Sequence, residues 1–283
     1  MPHAQYPLND VRILSLPEIP LVEHPVYSTP EMQVNPRECR LVVPGAGVYY
    51  ALEGKELWYK SQEGVDPRWV KAQLQGLPLA ALLHQRGVLH FHAASFVFEG
   101  AGVLLLGQSG AGKSSLTAAF HRAGATALSD DLSAVVFEED QPMIWPVDRK
   151  IRLRENTVRQ LGLDENHLEA PDPFTGKYAL KHPPHHTDRY PLQYLLHLEK
   201  HPGTDIKIEQ PPADEQFSLL RSEICHWEML RGMPETEKAY LGQILQMLNA
   251  HPLLRILRPE TCTITSLQLS LAEYLHAQKQ NTK

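Results

Sequence analysis

The apolar positions of this 283-residue chain come in short strand-length runs near its start and in helical periods further along. Arg12 to Leu16, Cys39 to Val43, Val48 to Leu52 and Glu56 to Lys60 are brief alternating or apolar runs, separated by Pro36, Pro44-Gly45 and Glu53-Gly54. That punctuation predicts β-strands joined by turns. Residues 1–62 are therefore expected to form a small β-rich N-terminal subdomain, and residues 63–283 a larger α/β domain. Asp66-Pro67 supplies an N-cap and a first-turn proline, and helical spacing predicts one helix from there to Gln85, before Gly87. Val88 to Phe98 reads as strand with a break, and Glu99-Gly100-Ala101-Gly102 turns the chain into the apolar run Val103-Leu104-Leu105-Leu106.

Further along, the pattern predicts a helix over Lys113 to Arg122, stopped by Gly124, and a short strand over Thr126 to Ser129. Ala134 to Phe137 and Met143 to Val147 flank an acidic turn and predict a hairpin. Glu169 to Pro191 is dense in Pro, His, Gly and Asp and is expected to be a loop that covers or approaches the active site. Strands are expected at Leu192 to Leu198, Ile206 to Glu209 and Leu253 to Leu257. Helices are expected at Ala213 to Glu223, Glu235 to Asn249 and Ser266 to Ala277.

Composition narrows the partners. Net charge is −6 and the basic residues are dispersed, which argues against nucleic acid. The apolar runs are too short for a bilayer span, and the N-terminus has neither a basic nor an apolar signal region. Three widely spaced cysteines fit reduced thiols, so a cytoplasmic location is expected.

The chemistry concentrates at Gly107 to Ser114, G-Q-S-G-A-G-K-S, directly after the apolar run. A triphosphate must be gripped without side-chain bulk. Gly107, Gly110 and Gly112 let backbone N–H groups converge on it, and the opening turn of the next helix adds donors and positive dipole. In this reading Ser109, Ala111 and Ser115 complete the nucleotide cradle. Lys113 reaches the β- and γ-phosphates, and Ser114 holds Mg²⁺.

Asp130 follows Lys113 by seventeen residues, room for a helix, a glycine stop and a returning strand. A right-handed crossover would set that strand parallel beside the first, so Asp130 and Asp131 would stand next to the γ-phosphate. One carboxylate can then serve the metal and the other an incoming hydroxyl; an Asp pair capping a turn is the plainer alternative. His92 lies near the loop on the preceding strand. Arg152, Arg154 and Lys177 are candidates for neutralising transferred phosphate or for solvated surface. Glu155 suits a metal ligand or a helix start. His182, His185, His186 and Asp188 fit no standard zinc spacing.

The run F-H-A-A-S-F-V-F-E-G-A-G-V-L-L-L-G-Q-S-G-A-G-K-S-S-L, continued through A-G-A-T-A-L-S-D-D, resembles the kinase domain of HPr kinase/phosphorylase and its relatives. The likeness lies in a histidine fifteen residues before the first loop glycine, as His92 stands before Gly107, and in the spacing from Lys113 to Asp130-Asp131. It covers about residues 86 to 135. The resemblance implies a P-loop kinase domain of the HPr kinase C-terminal type, using ATP and Mg²⁺ to phosphorylate a serine of a peptide or small protein. It implies Asp130 as base, Asp131 with Ser114 on the metal, and His92 and Lys113 in catalysis; Lys177, in T-G-K-Y of the expected loop, is placed with the nucleotide by its own charge. It also implies that relatives of this type assemble as homo-oligomers. The family's glycine-rich stretch after the acidic pair is absent; D-R-K-I-R-L-R-E-N stands there. The whole pattern resembles the stand-alone members, including lasso-peptide precursor kinases. Alternatives are an HPr-type carrier-protein kinase and a non-catalytic ATP-binding module.

Overall fold

The computed structural model describes residues 8–147, 151–181 and 189–281. The chain opens with strands β1 (Arg12–Ser15), β2 (Tyr27–Ser28), β3 (Met32–Val34), β4 (Glu38–Val43), β5 (Gly47–Leu52) and β6 (Glu56–Ser61), then helices α1 (Pro67–Gln73) and α2 (Leu77–Gln85). Next come β7 (Leu89–Phe91), β8 (Ala94–Phe98), β9 (Ala101–Leu106), α3 (Lys113–Arg122), β10 (Thr126–Ser129), β11 (Ser133–Glu138), β12 (Gln141–Trp145), β13 (Arg152–Leu153) and α4 (Glu155–Leu161). The remainder is β14 (Tyr178–Ala179), β15 (Tyr190–His201), β16 (Lys207–Glu209), α5 (Ala213–Ser222), α6 (Pro234–Ala250), β17 (Leu253–Pro259) and α7 (Ile264–Asn281). This mixed α/β chain divides into two compact units, Met1–His90 with Ile224–Gln246, and Phe91–Glu223 with Met247–Lys283.

The first unit is built on a sheet ordered β1-β6-β5-β4-β3-β2, parallel between β1 and β6 and antiparallel elsewhere. Alternation puts Cys39, Leu41, Tyr49, Ala51 and Leu57 on the buried face. The apolar positions of α2, among them Leu79, Leu82 and Leu83, are fully buried, and α2 packs on β4 and β5. A division at residue 62 is therefore not what forms. Helices α1 and α2 stay with the sheet whose core they complete, and residues 224–246 join them from far along the chain.

The single helix expected over residues 66–85 is two. Asp66 caps α1 by accepting the Arg68 N–H at 2.8 Å, but Gly76 takes φ −99°, ψ −121° and Pro78 enters the first turn of α2. A proline lacks the N–H that would have continued the earlier helix, so the chain restarts there. Among the described residues no helix is long and apolar enough to cross a membrane.

The second unit holds the sheet run β10-β8-β9-β15-β12-β11, with β17 also paired to β15 and β16 to β17. β9 and β15 are parallel, as are β15 and β17; β8 is antiparallel to both β9 and β10. Strand β10 thus runs parallel to β9, as expected, but is not its neighbour. The tight turn at Glu99 and Gly100, with φ of +49° and +83°, folds β8 back onto β9 and fills that edge first. Helix α3 packs against β8 and α7, with Phe120 stacked on Phe96 at 4.6 Å between ring centroids.

Within the expected loop at residues 169–191, Tyr178–Ala179 forms a ribbon with Arg152–Leu153, and β15 already begins at Tyr190. A two-residue strand carries no readable period, and its partner is distant in sequence. His182, His185, His186 and Asp188 lie outside the described residues.

Candidate active site

Six consecutive buried residues of β9 deliver the chain to Gly107. Gly107, Gly110 and Gly112 have φ of +133°, +82° and +113°, a backbone that side chains oppose. At Gly107 a Cβ would also stand 2.3 Å from the Leu198 carbonyl oxygen on β15. Gly112 caps α3, so Lys113 and Ser114 occupy the first turn, where N–H groups have no intrahelical acceptor. The Lys113 side chain is buried, and its ammonium donates to the carbonyls of Gly107 and Gln108.

A cavity of about 220 Å³ opens over this turn. Its lining brings together His92, Ser109, Gly110, Gly112, Lys113, Ser114, Ser115, Asp131 and Lys177, all singled out from sequence. Gly107, Ala111 and Asp130 lie outside the lining. Arg152 and Arg154 contribute to it as well, whereas Glu155 starts α4 and pairs with Arg159 at 2.6 Å.

The two aspartates occupy different environments, because successive residues at a strand end point opposite ways. Asp130 is 1% exposed; its Oδ2 accepts the main-chain N–H of Arg152 at 3.0 Å, and its buried Oδ1 has no hydrogen-bond partner. Burial and then the Asp131 charge raise its pKa to about 6, against the pull of Ser114, the Arg152 N–H and Lys177. Asp131 faces the cavity, with the Arg152 guanidinium 3.5 Å from its Oδ2. His92 donates its main-chain N–H to the Glu223 carbonyl at 2.7 Å. Desolvation and then Lys113 lower its pKa, which favours the neutral ring.

Three supports escaped the sequence reading. Arg258 Nε donates to the Ala111 carbonyl at 2.7 Å, and its guanidinium lies beside Gly112. Thr157 bonds Ser115 Oγ at 2.8 Å and lines the cavity. Ser95, Ser129 and Ser133 form a fully buried hydroxyl cluster, with Oγ–Oγ distances of 2.6 Å (Ser95–Ser129) and 2.5 Å (Ser129–Ser133), at the end of β10 beneath the acidic pair. Serines at strand positions otherwise apolar were the available signal for that cluster.

No protein-family model matches the chain, and no curated protein matches it. Among solved structures, the HPr(Ser) kinase/phosphatase from Coxiella burnetii aligns with 68% of this chain and 97% of its own, at 14% identity and a TM-score of 0.35.

The donor set suits a magnesium ion that arrives with a nucleotide. No group of three or more His, Cys, Asp or Glu side chains that could hold a metal occurs among the described residues. The Asp130 Oδ1 makes no hydrogen bond of ordinary geometry, and the Ser114 hydroxyl is near enough to the carboxyl to lower its pKa. One carboxylate and one hydroxyl are what Mg²⁺ takes from a protein when phosphates and water supply the rest.

Proposed function

We propose that the chain is an ATP-dependent kinase that transfers the γ-phosphoryl group to a serine hydroxyl of a peptide or small protein. The observation that carries this reading is the shared cavity: the phosphate-loop turn and the Asp131 carboxylate line one space. The loop's main-chain donors, the α3 N-terminus and Lys113 would hold the phosphates. Mg²⁺, held by Ser114 and Asp130, would supply charge neutralisation.

The serine oxygen bonds to the γ-phosphorus, the bond to the β,γ-bridging oxygen breaks, and ADP leaves. Asp131 takes the hydroxyl proton. This reverses the roles expected for the two aspartates. An acceptor enters through the open cavity, which Asp131 faces and Asp130 does not. The Arg152 guanidinium, 3.5 Å from Oδ2, would keep Asp131 oriented. Candidate acceptors are a ribosomal peptide precursor of the lasso type and a carrier protein of the HPr type.

The test is transfer from γ-labelled ATP to serine peptides and proteins. Asp131→Asn is expected to keep nucleotide affinity within a few-fold and to lose at least about 10²-fold in transfer. Equal transfer by both proteins overturns the role of Asp131. Wild type that binds ATP and labels no acceptor leaves a nucleotide-binding module instead.

A further inference from the structure

The cavity is strongly cationic. Lys113, Arg152, Arg154 and Lys177 line it against the single carboxylate of Asp131, in a chain whose net charge is −6. Two of these cations are committed: Lys113 to the loop carbonyls, and Arg152 to Asp131 at 3.5 Å. Arg154 and Lys177 have no ion-pair partner among the described residues.

Their placement is imposed by the backbone. In the β13–β14 ribbon Arg152 pairs with Ala179 and Leu153 with Tyr178. Arg154 follows the last residue of β13 and Lys177 precedes the first of β14, so both leave the ribbon at the same end, and both line the cavity. Like charges brought to one end of a ribbon repel, and neither of these side chains has an ion-pair partner among the described residues. A pair of this kind at the rim of a cavity is relieved by an anion that bridges it. The glycine turn and α3 would take the nucleotide phosphates, whereas the β13–β14 ribbon is fixed at the Asp130–Asp131 end by the Arg152 main-chain N–H on Asp130 at 3.0 Å and the Arg152 guanidinium on Asp131 at 3.5 Å.

We propose that Arg154 and Lys177 form an anion subsite for the acceptor, one that selects serines flanked by acidic side chains. The assignment rests on the kinase reading for the direction of acceptor entry. It moves Lys177 from the nucleotide to the acceptor. Overall repulsion between an acidic peptide and this acidic protein is overcome locally, so binding weakens as salt is added.

The experiment uses the full chain with Mg²⁺ and ADP, and two fluorescein-labelled peptides in which one serine is flanked by glutamates or by lysines. Anisotropy is expected to show at least about tenfold tighter binding of the acidic peptide. The Arg154→Glu/Lys177→Glu double variant is expected to lose that preference, while its ADP affinity falls by less than about tenfold through loss of the Lys177 pull on Asp130. Equal binding of the two peptides by wild type overturns the subsite. So does a double variant that loses ADP affinity while retaining the preference, because the cations then serve the nucleotide. Label transfer is measured separately. Selective binding without transfer fails the kinase reading and leaves the subsite standing.

Discussion

Asp130 Oδ2 accepts the main-chain N–H of Arg152 at 3.0 Å, which ties the end of β10 to the start of the β13–β14 ribbon. The bond satisfies one oxygen of a buried carboxylate and leaves the other unpartnered next to Ser114. A carboxylate in that state prefers to hold a proton until a cation arrives.

The first prediction concerns pH. With the Asp130 pKa raised from 3.8 to about 6, its contribution to stability is fully present below 3.8 and is lost as pH rises through about 6. Metal binding has the opposite sign, because it requires the ionised form. Affinity for Mg²⁺-ADP should fall by up to about tenfold per unit below pH 6, with proton release on binding. Calorimetry in buffers of different ionisation enthalpy reads this directly, and Asp130→Asn should remove the slope. A slope that survives in Asp130→Asn assigns the proton to another group.

Gly107→Ala combines an opposed φ of +133° with a Cβ 2.3 Å from the Leu198 carbonyl. A loss of at least about 2 kcal/mol in denaturant melts is expected, together with loss of ADP binding. Gly110→Ala meets nothing within 4 Å and bears only the strain of φ +82°, so it should cost about 1 kcal/mol. Equal losses at the two positions would mean that the approach of β15 does not matter.

Arg258→Ala removes the donor to Ala111 O without touching the cavity lining. ADP affinity should drop by about five- to twentyfold, because a charge-assisted hydrogen bond no longer holds the loop's curvature. Global stability should change by less than about 1 kcal/mol. Arg258→Lys should recover only part of the affinity. Unchanged calorimetric affinity in Arg258→Ala would show that the loop holds its shape unaided.

In the first unit, buried His84 and His90 lie with ring centroids 4.4 Å apart and planes tilted by 46°, and burial pushes His90 down to about 4 and lowers His84 as well. Unfolded histidine takes its proton near 6.5, so this stability is present above 6.5 and is lost as pH falls toward 4. Urea melts at pH 7 and pH 5 should differ by about 2 kcal/mol from His90 alone. His90→Gln should shrink that difference; an undiminished one would place the acid sensitivity elsewhere.

Much of the local structure was legible because its causes are local. The span Lys113–Arg122 follows from a glycine start, an apolar period and a glycine stop, and Thr126–Ser129 from its short apolar run. The break after Gly76 is equally local, set by the Gly76 backbone and Pro78, although the apolar spacing on both sides predicts one helix. Elements of two residues, such as Arg152–Leu153 and Tyr178–Ala179, escaped because neither has meaning without the other.

By itself the sequence determined a glycine turn between a buried strand and a helix, with an acidic pair one crossover later. Backbone freedom, dipole direction and side-chain size are properties of neighbours along the chain. Tertiary structure alone decided that β8 separates β9 from β10, that Asp131 faces the cavity while Asp130 is buried, and that Arg258 and Thr157 support the glycine turn and the helix it opens. A one-residue step at a strand end reverses a side chain, and only packing against distant segments settles which of two adjacent carboxylates meets solvent.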